Sequence, residues 1–267
     1  MRLHVGCAMW THKAWPSTAE RLRSYAEWCN AVEGNTTFYA TPARDTVAGW
    51  ADQTPADFRF VLKLPRAVTH ERRFAGTELR AFLGAIEPLG PRIHALWVQL
   101  PPSFGPADVG ALATFLGNLP ASYRYAVEVR HPAFFTDPSA LESVLTAAGA
   151  EWVPFDTTAF FTTPPTSDAE RDAWSKKPRL PLRTEALTEH PIIRYLGRDD
   201  PAVTVSGWRP WVARCAAWLR EGRSPTVFIH TPDNAEAPTL ARQFHAEVRA
   251  LVPDLEPLPD PEPLTLF

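Results

Sequence analysis

Residues 95–131 read ALWVQLPPSFGPADVGALATFLGNLPASYRYAVEVRH, and this stretch contains the unit from which the fold is built. It begins with the apolar run Ala95–Leu100 and ends with a second one, Tyr125–Arg130. The segment between them, Asp108–Leu119, carries apolar residues at helical spacing. A strand, a helix and a further strand in this order are typical of a parallel sheet with crossover helices.

The same unit recurs along the chain. The other predicted strands are Leu3–Gly6, Ala31–Thr37, Phe58–Leu64, Glu151–Asp156, Ile192–Leu196 and Thr226–His230, and the other predicted helices are Ala19–Cys29, Leu79–Leu89, Ser139–Ala148 and Trp208–Arg220. Eight alternating strands favour a single α/β domain, a TIM-type (β/α)8 barrel over residues 1–252. A doubly wound open sheet is the alternative, although no GxGxxG or GxxxxGK[ST] motif indicates a nucleotide-binding version of it.

Composition limits the function classes. With 45% hydrophobic and 21% charged residues among 267, the chain is typical of a globular protein. The net charge of −3 does not indicate nucleic-acid binding through counterion release. Three cysteines without a CxxC pair argue against a disulfide framework. Because no apolar segment approaches the roughly 20 residues of a bilayer span, we expect a cytoplasmic protein without a membrane partner.

Polar residues gather at the carboxyl ends of the predicted strands, where barrel enzymes place their chemistry. We predict catalytic roles for four of them, namely Glu33, Lys63, Glu128 and Asp156. Glu33 and Glu128 are the candidate acid/base pair, and Asp156 would orient them. The predicted ligand-binding residues are Trp10, Asn35, Tyr39, His70, Gln99, Arg130, His131, Arg194 and His230. The mixture of cations and carboxylates predicts a small polar, anionic substrate and a lyase, isomerase or hydrolase reaction.

Other interpretations of the same residues stay open. The charged groups could form a buried ion network that fixes strand register. His70, His131 and His230, with Glu33 or Asp156, could bind a divalent metal, although no HxH or HExxH spacing joins them. Lys63 could form a Schiff base, but ion pairing with the carboxylates would keep its amine protonated. The aromatic residues Trp10, Trp15, Phe38 and Tyr39 could stack on a ligand or simply pack across the barrel mouth.

Several motifs together resemble the YecE-like family, known as domain of unknown function seventy-two. They are Gly6–Trp10 with Trp15-Pro16, Val32–Tyr39 with Pro42, Trp50, Thr54-Pro55, Phe58–Phe60, Lys63 with Pro65, Thr69-His70, Gln99–Phe104, Glu128–Pro132 and Asp156. The resemblance implies a TIM-type barrel with a polar cleft, and it implies no particular reaction. Two motifs depart from the family: Arg-Leu-His-Gly becomes Arg194–Gly197, and Phe-Asn-Asn becomes His230–Asn234.

Two further segments interrupt the alternation. Residues 157–190 are far longer than an ordinary loop and are either functional or a surface excursion. The Pro-rich acidic tail, residues 253–267, ends in a peptide similar to the Gln-Leu-x-Leu-Phe motif by which bacterial proteins dock on the sliding clamp. Leu264, Leu266 and Phe267 would make that contact, or they would pack on this protein's own surface. The clamp hypothesis makes nucleic-acid metabolism, including a metal-assisted nuclease-like activity, the alternative function.

Overall fold

A computed structural model describes residues 2–8, 10, 20–71, 74, 76–259 and 261 of the chain. Its strands are β1 His4–Cys7, β2 Ala31–Gly34, β3 Arg59–Lys63, β4 Ile93–Gln99, β5 Tyr125–Glu128, β6 Glu151–Trp152, β7 Phe155–Asp156, β8 Ile192–Leu196 and β9 Thr226–His230. They form two parallel sheets, in the orders β1-β9-β8-β7 and β2-β3-β4-β5-β6. The predicted α/β class is thus confirmed.

A single closed eight-stranded barrel is not confirmed, because the two sheets remain separate hydrogen-bonded ladders. The predicted strand Glu151–Asp156 is divided into β6 and β7, and its partner changes between them. The amide of Val153 donates to the Val127 carbonyl (2.8 Å), whereas the Pro154 carbonyl accepts from the Arg194 amide (3.0 Å). Proline has no N–H with which to continue the first ladder. At the other edge, a lone bridge between Ala8 and Glu33 joins the β1 side to β2.

The helices are α1 Arg21–Trp28, α2 Thr36–Tyr39, α3 Arg44–Asp52, α4 Gly76–Ile86, α5 Val109–Gly117, α6 Ala133–Thr136, α7 Ser139–Ala147, α8 Asp168–Lys176, α9 Pro201–Arg220 and α10 Ala237–Leu251. The predicted second strand was three residues too long: it ends at Gly34 because Asn35 already has helical backbone angles. Within the described residues, none of the helices combines the length and apolar character needed to cross a membrane.

A small dry core lies between the two sheets. It consists of Ala31, Val61, Ala95, Trp97, Ala126, Val153, Ile192 and Phe228. The Trp97 and Phe228 rings stack with centroids 6.2 Å apart, and the small alanines leave room for them. Because side chains alternate along a strand, the next inward positions toward the carboxyl ends belong to the polar residues of the predicted site.

The long segment 157–190 is an ordered excursion held at both of its ends. After α8 begins, the buried Glu170 carboxylate accepts hydrogen bonds from the Arg198 guanidinium at 2.7 and 2.6 Å. Near the return of the chain, the Glu151 carboxylate accepts from the backbone amides of Leu187 (3.0 Å) and Thr188 (2.9 Å). These contacts fix the position of α8 and of the residues that follow it.

The described part of the tail packs on the domain instead of extending away from it. The Leu255 side chain is buried, and its carbonyl accepts from Arg249 Nε of α10 at 3.0 Å. The residues of the clamp hypothesis, Leu264, Leu266 and Phe267, lie outside the described residues.

We expect Gly6→Ala to destabilise the protein by about 3 kcal/mol, the upper end of ordinary overpacking. A Cβ at Gly6 of β1 would lie 2.0 Å from the Ala31 carbonyl oxygen, so β1 and β2 would have to separate. In Gly84→Ala, the matched control inside α4, no atom lies within 4 Å of the new methyl group. That variant should gain about 0.5–1 kcal/mol from helix propensity. Urea unfolding measures both changes, and equal stabilities would contradict the close approach of the two strands.

Candidate functional site

The centre of the site is the fully buried carboxylate of Glu33 at the end of β2. Lys63 Nζ lies 2.8 Å from its Oε1 atom, and Arg194 Nη2 lies 3.1 Å from the same oxygen. The Oε2 atom is 2.7 Å from His230 Nε2. Three groups from β3, β8 and β9 therefore share one carboxylate of β2, and two of those strands belong to the other sheet.

The charges of this cluster determine its protonation. Burial raises the pKa of Glu33, but Arg194, Lys63 and His230 outweigh it and hold that pKa well below its ordinary value. Burial lowers the pKa of His230 to about 4, so its imidazole is neutral at neutral pH. A neutral imidazole facing an ionised carboxylate donates through Nε2–H, which leaves Nδ1 as the acceptor atom.

A second buried carboxylate, Glu128 at the end of β5, is linked to the first. Its Oε1 atom accepts from Arg130 Nε (2.8 Å) and lies 2.7 Å from Arg130 Nη2. Its Oε2 atom lies 3.5 Å from Arg194 Nη1, so Arg194 connects the two carboxylates. Burial raises the pKa of Glu128, but Arg130 and Arg194 bring it below its ordinary value. Both predicted acid/base residues are thus ionised at neutral pH.

Lys63 has both a polar and an aromatic neighbour besides Glu33. Its Nζ donates to Gln99 Oε1 at 2.9 Å and lies 4.8 Å from the centroid of the Trp97 ring beneath it. Burial lowers the pKa of Lys63 to about 8, and Arg194 acts in the same direction while Glu33 opposes both. A measurable fraction of this amine is therefore neutral in mildly alkaline solution.

A cavity of about 410 Å³ opens above the two carboxylates. It is lined by Asn35, Phe38, Tyr39, Lys63, Arg66, His70, Gln99, Arg130, Phe155, Lys176, Lys177 and Arg194. Six of these side chains are Lys or Arg, and none is acidic. The cavity wall is therefore cationic, and the acidic charge lies beneath it.

The structure brings most of the predicted residues together. Asn35, Tyr39, Lys63, His70, Gln99, Arg130 and Arg194 line the cavity, and Glu33, Glu128 and His230 lie in the cluster bonded to them. His70 Nδ1 lies 2.8 Å from the Thr69 hydroxyl. Burial and, to a smaller extent, the positive charge of Arg130 lower the pKa of His70 to about 4.

Three predicted residues lie outside the cluster. Asp156 faces α9, where its carboxylate accepts from Trp211 Nε1 at 2.7 Å, because Phe155 takes the inward position on the same strand. The Trp10 ring packs against Trp50 in the core, with centroids 5.1 Å apart. His131 Nδ1 accepts from the backbone amide of Ala133 at the beginning of α6.

The predicted metal ligands do not converge. His70, His131 and His230 have the separate partners described above. Within residues 2–8, 10, 20–71, 74, 76–259 and 261, no group of three or more His, Cys, Asp or Glu side chains could hold a metal ion.

Sequence reasoning missed four residues that line the cavity: Arg66, Phe155, Lys176 and Lys177. Lys176 is the last residue of α8 and Lys177 follows it inside the long excursion; the only sequence signal was the Lys-Lys pair in a lysine-poor chain. Burial lowers the pKa of Lys177 to about 8, with Arg194 acting in the same direction.

We expect His230 to make the protein sensitive to mild acid. Its pKa is 6.5 when unfolded and about 4 when folded, so the unfolded chain takes up the proton first as the pH falls. The free energy of unfolding has its full value above pH 6.5 and then falls by about 3 kcal/mol toward pH 4. In His230→Gln the new amide can still donate to Glu33 but takes up no proton. Its free energy of unfolding should therefore fall by about 3 kcal/mol less over the same pH range. Urea unfolding across this pH range measures the difference, and parallel curves would contradict it.

Comparison with known proteins agrees with this architecture. The family described as "Protein of unknown function DUF72" matches residues 4–263. The chain is 36% identical over 272 residues to the UPF0759 protein YecE of Escherichia coli, both in strain K12 and in O157:H7, and the match covers 99% of this chain and all of each relative.

Two solved structures of DUF72 family proteins have a similar fold. The protein from Thermotoga maritima matches with a TM-score of 0.70 at 20% identity, covering 93% of this chain and 100% of that one. The protein from Enterococcus faecalis matches with a TM-score of 0.65 at 18% identity, covering 98% and 99%. The chain belongs to the DUF72 family, whose members include the UPF0759 protein YecE.

Proposed function

We propose that the protein binds a small anionic ligand, a carboxylate or a phosphate ester, in the cavity above Glu33 and Glu128 and acts on it by acid/base chemistry. The observation that carries this proposal is the cavity wall, which holds six Lys or Arg side chains and no acidic one. Charge-assisted hydrogen bonds from such groups are the strong contacts by which proteins hold carboxylate and phosphate oxygens.

The rim supplies one cation, Lys177, whose charge is not neutralised by a close partner among the described residues. Lys177 is half-buried, and no described residue forms a hydrogen bond or ion pair with its Nζ atom. Arg66, in contrast, pairs with Glu71 at 3.4 Å on the exposed side of the rim. Desolvation of Lys177 would be offset by an anion, and this supports a binding role for it.

The buried carboxylates and the Lys63 amine have different roles in the proposed proton transfer. Glu33 and Glu128 are ionised because their pKa values lie below the ordinary one, so each has a free site for a proton, and Lys63, with a pKa of about 8, can donate one. His230 holds Glu33 through its Nε2–H. This arrangement favours a lyase or isomerase reaction that moves a proton next to an anionic group.

The proposal includes a barrel closed around the site in a cytoplasmic protein. Closure is supported by the Ala8–Glu33 bridge at one edge and by the strand segment 151–156, which bonds to both sheets. A reducing location is supported by the three buried free thiols, Cys7, Cys29 and Cys215.

Titration calorimetry with inorganic phosphate and with glyoxylate tests anion binding. Lys177→Gln should weaken the binding of the better of these two anions about tenfold, since one charge-assisted contact is lost. Affinity should also fall above pH 8, where the Lys177 amine becomes neutral.

The matched control is Arg171→Gln, which removes one positive charge from the exposed face of α8, where Arg171 pairs with Asp168. Affinity should stay unchanged in this variant, because salt screens the distant charge. Absence of binding by the wild-type protein, or equal weakening in both variants, would exclude this cavity as the anion site.

A further inference from the structure

Lysine is scarce in this protein and is concentrated at one place. The chain has four lysines and 23 arginines. Three of the four lysines, Lys63, Lys176 and Lys177, line the cavity above Glu33 and Glu128.

Arginine would supply the positive charge of this cavity equally well, and Arg66, Arg130 and Arg194 already do so. What arginine does not supply is an amine that loses its proton in the physiological range and then acts as a nucleophile. The cluster of lysines in a chain that otherwise uses arginine therefore points to amine chemistry.

Lys63 is the lysine best placed for that chemistry. It ends β3, its side chain is 3% exposed, and Nζ is held between Glu33 and Gln99 at 2.8 and 2.9 Å. The ion pair with Glu33, the hydrogen bond to Gln99 and the Trp97 ring fix the direction of the amine, so a ligand that enters the cavity meets it in one orientation.

Its neighbours make the neutral amine accessible. Burial and the positive charge of Arg194 lower the pKa of Lys63 to about 8, although the ion pair with Glu33 favours the ammonium form. The ion pair alone would keep the amine protonated, but burial and the neighbouring Arg194 outweigh it and hold the pKa of Lys63 below the ordinary value of a lysine.

We propose that Lys63 forms an imine with the carbonyl group of an anionic aldehyde, ketone or oxoacid held by the cations of the cavity. This inference rests on the proposed anion-binding function and adds the ligand's reacting group. Arg130 and Lys177 would hold the anionic end of such a ligand, and the carbonyl carbon would face Nζ.

The step is balanced without an oxidant or reductant. The Lys63 ammonium transfers one proton to Glu33, and its free electron pair forms the C–N bond while the carbonyl π electrons move to oxygen. The oxygen receives this proton from Glu33 and a second one from the nitrogen, the C–O bond breaks, and one water leaves. Ammonium and carbonyl thus give a protonated imine and water, and Glu33 ends as it began.

The test traps the imine by reduction. The full chain is treated with pyridoxal 5′-phosphate or glyoxylate and with cyanoborohydride, which adds hydride to the imine carbon and leaves a stable secondary amine. Mass spectrometry of the peptides then locates the label. Lys176 is an internal reference, because it is exposed on the rim and pairs with Asp172.

We expect Lys63 to be labelled at least tenfold faster than Lys176, with the rate rising toward pH 8 and falling when inorganic phosphate competes. Pyridoxal, which lacks the phosphate, should label Lys63 at least tenfold more slowly than its phosphate ester. Lys177→Arg, which keeps the charge but not the amine, should still be labelled at Lys63. Mapping in the wild-type protein keeps the test valid even where Lys63→Arg, the loss-of-label control, folds poorly.

Labelling of Lys176 or Lys177 ahead of Lys63, or equal labelling by pyridoxal and its phosphate, would overturn the inference. These outcomes are distinct from failure of the proposed function. If phosphate and glyoxylate bind in calorimetry while Lys63 stays unlabelled, the cavity is an anion site without imine chemistry. If neither binds and Lys63 stays unlabelled, both proposals fail.

Discussion

The buried carboxylate of Glu33 is the interaction on which the site depends. It is bonded to Lys63, Arg194 and His230, which come from three strands of two different sheets. Removing a carboxylate from water is costly, and only several close partners offset that cost. Because Lys63 and Arg194 are themselves desolvated cations, neither side of the cluster is stable without the other. The carboxyl ends of the strands are therefore held together by charge where the backbone ladders are not continuous.

The layer beneath the cluster makes those charges effective. Trp97 and Phe228 stack in a dry core, and the Lys63 ammonium lies 4.8 Å above the Trp97 ring. The buried apolar layer lies directly below, so electrostatic interactions in the cluster are stronger than in solvent and shift the pKa values of its groups. The pKa of Glu33 is lowered, so this carboxyl group stays ionised. The pKa of His230 is also lowered, so this imidazole stays neutral. One environment thus produces a proton acceptor and a neutral donor 2.7 Å apart.

The alternation of side chains between the two faces of a strand predicted much of this site, because it depends only on neighbouring residues in the sequence. Lys63, Gln99 and Glu128 follow apolar runs at inward positions, and the structure places all three where the pattern indicated. Asp156 shows the limit: a change of partner at Pro154 and an inward Phe155 leave its carboxylate facing Trp211. The helices α3, α8 and α10 were not predicted, and the position of α8 depends on contacts between residues far apart in the chain.

The excursion of residues 157–190 completes the cavity through contacts that alternation does not encode. Glu170 binds Arg198 at its start and Glu151 binds two backbone amides near its return, so α8 is fixed over the strand ends. Lys176 at the end of α8 and Lys177 directly after it then add positive charge to one side of the cavity. Lys63, Arg130 and Arg194 of the cavity wall are already paired with the two buried carboxylates, and Lys176 is paired with Asp172. The charge of Lys177 is left without an ion-pair partner among the described residues. This unpaired positive charge above the two buried carboxylates is the feature on which the proposed binding of an anionic ligand rests.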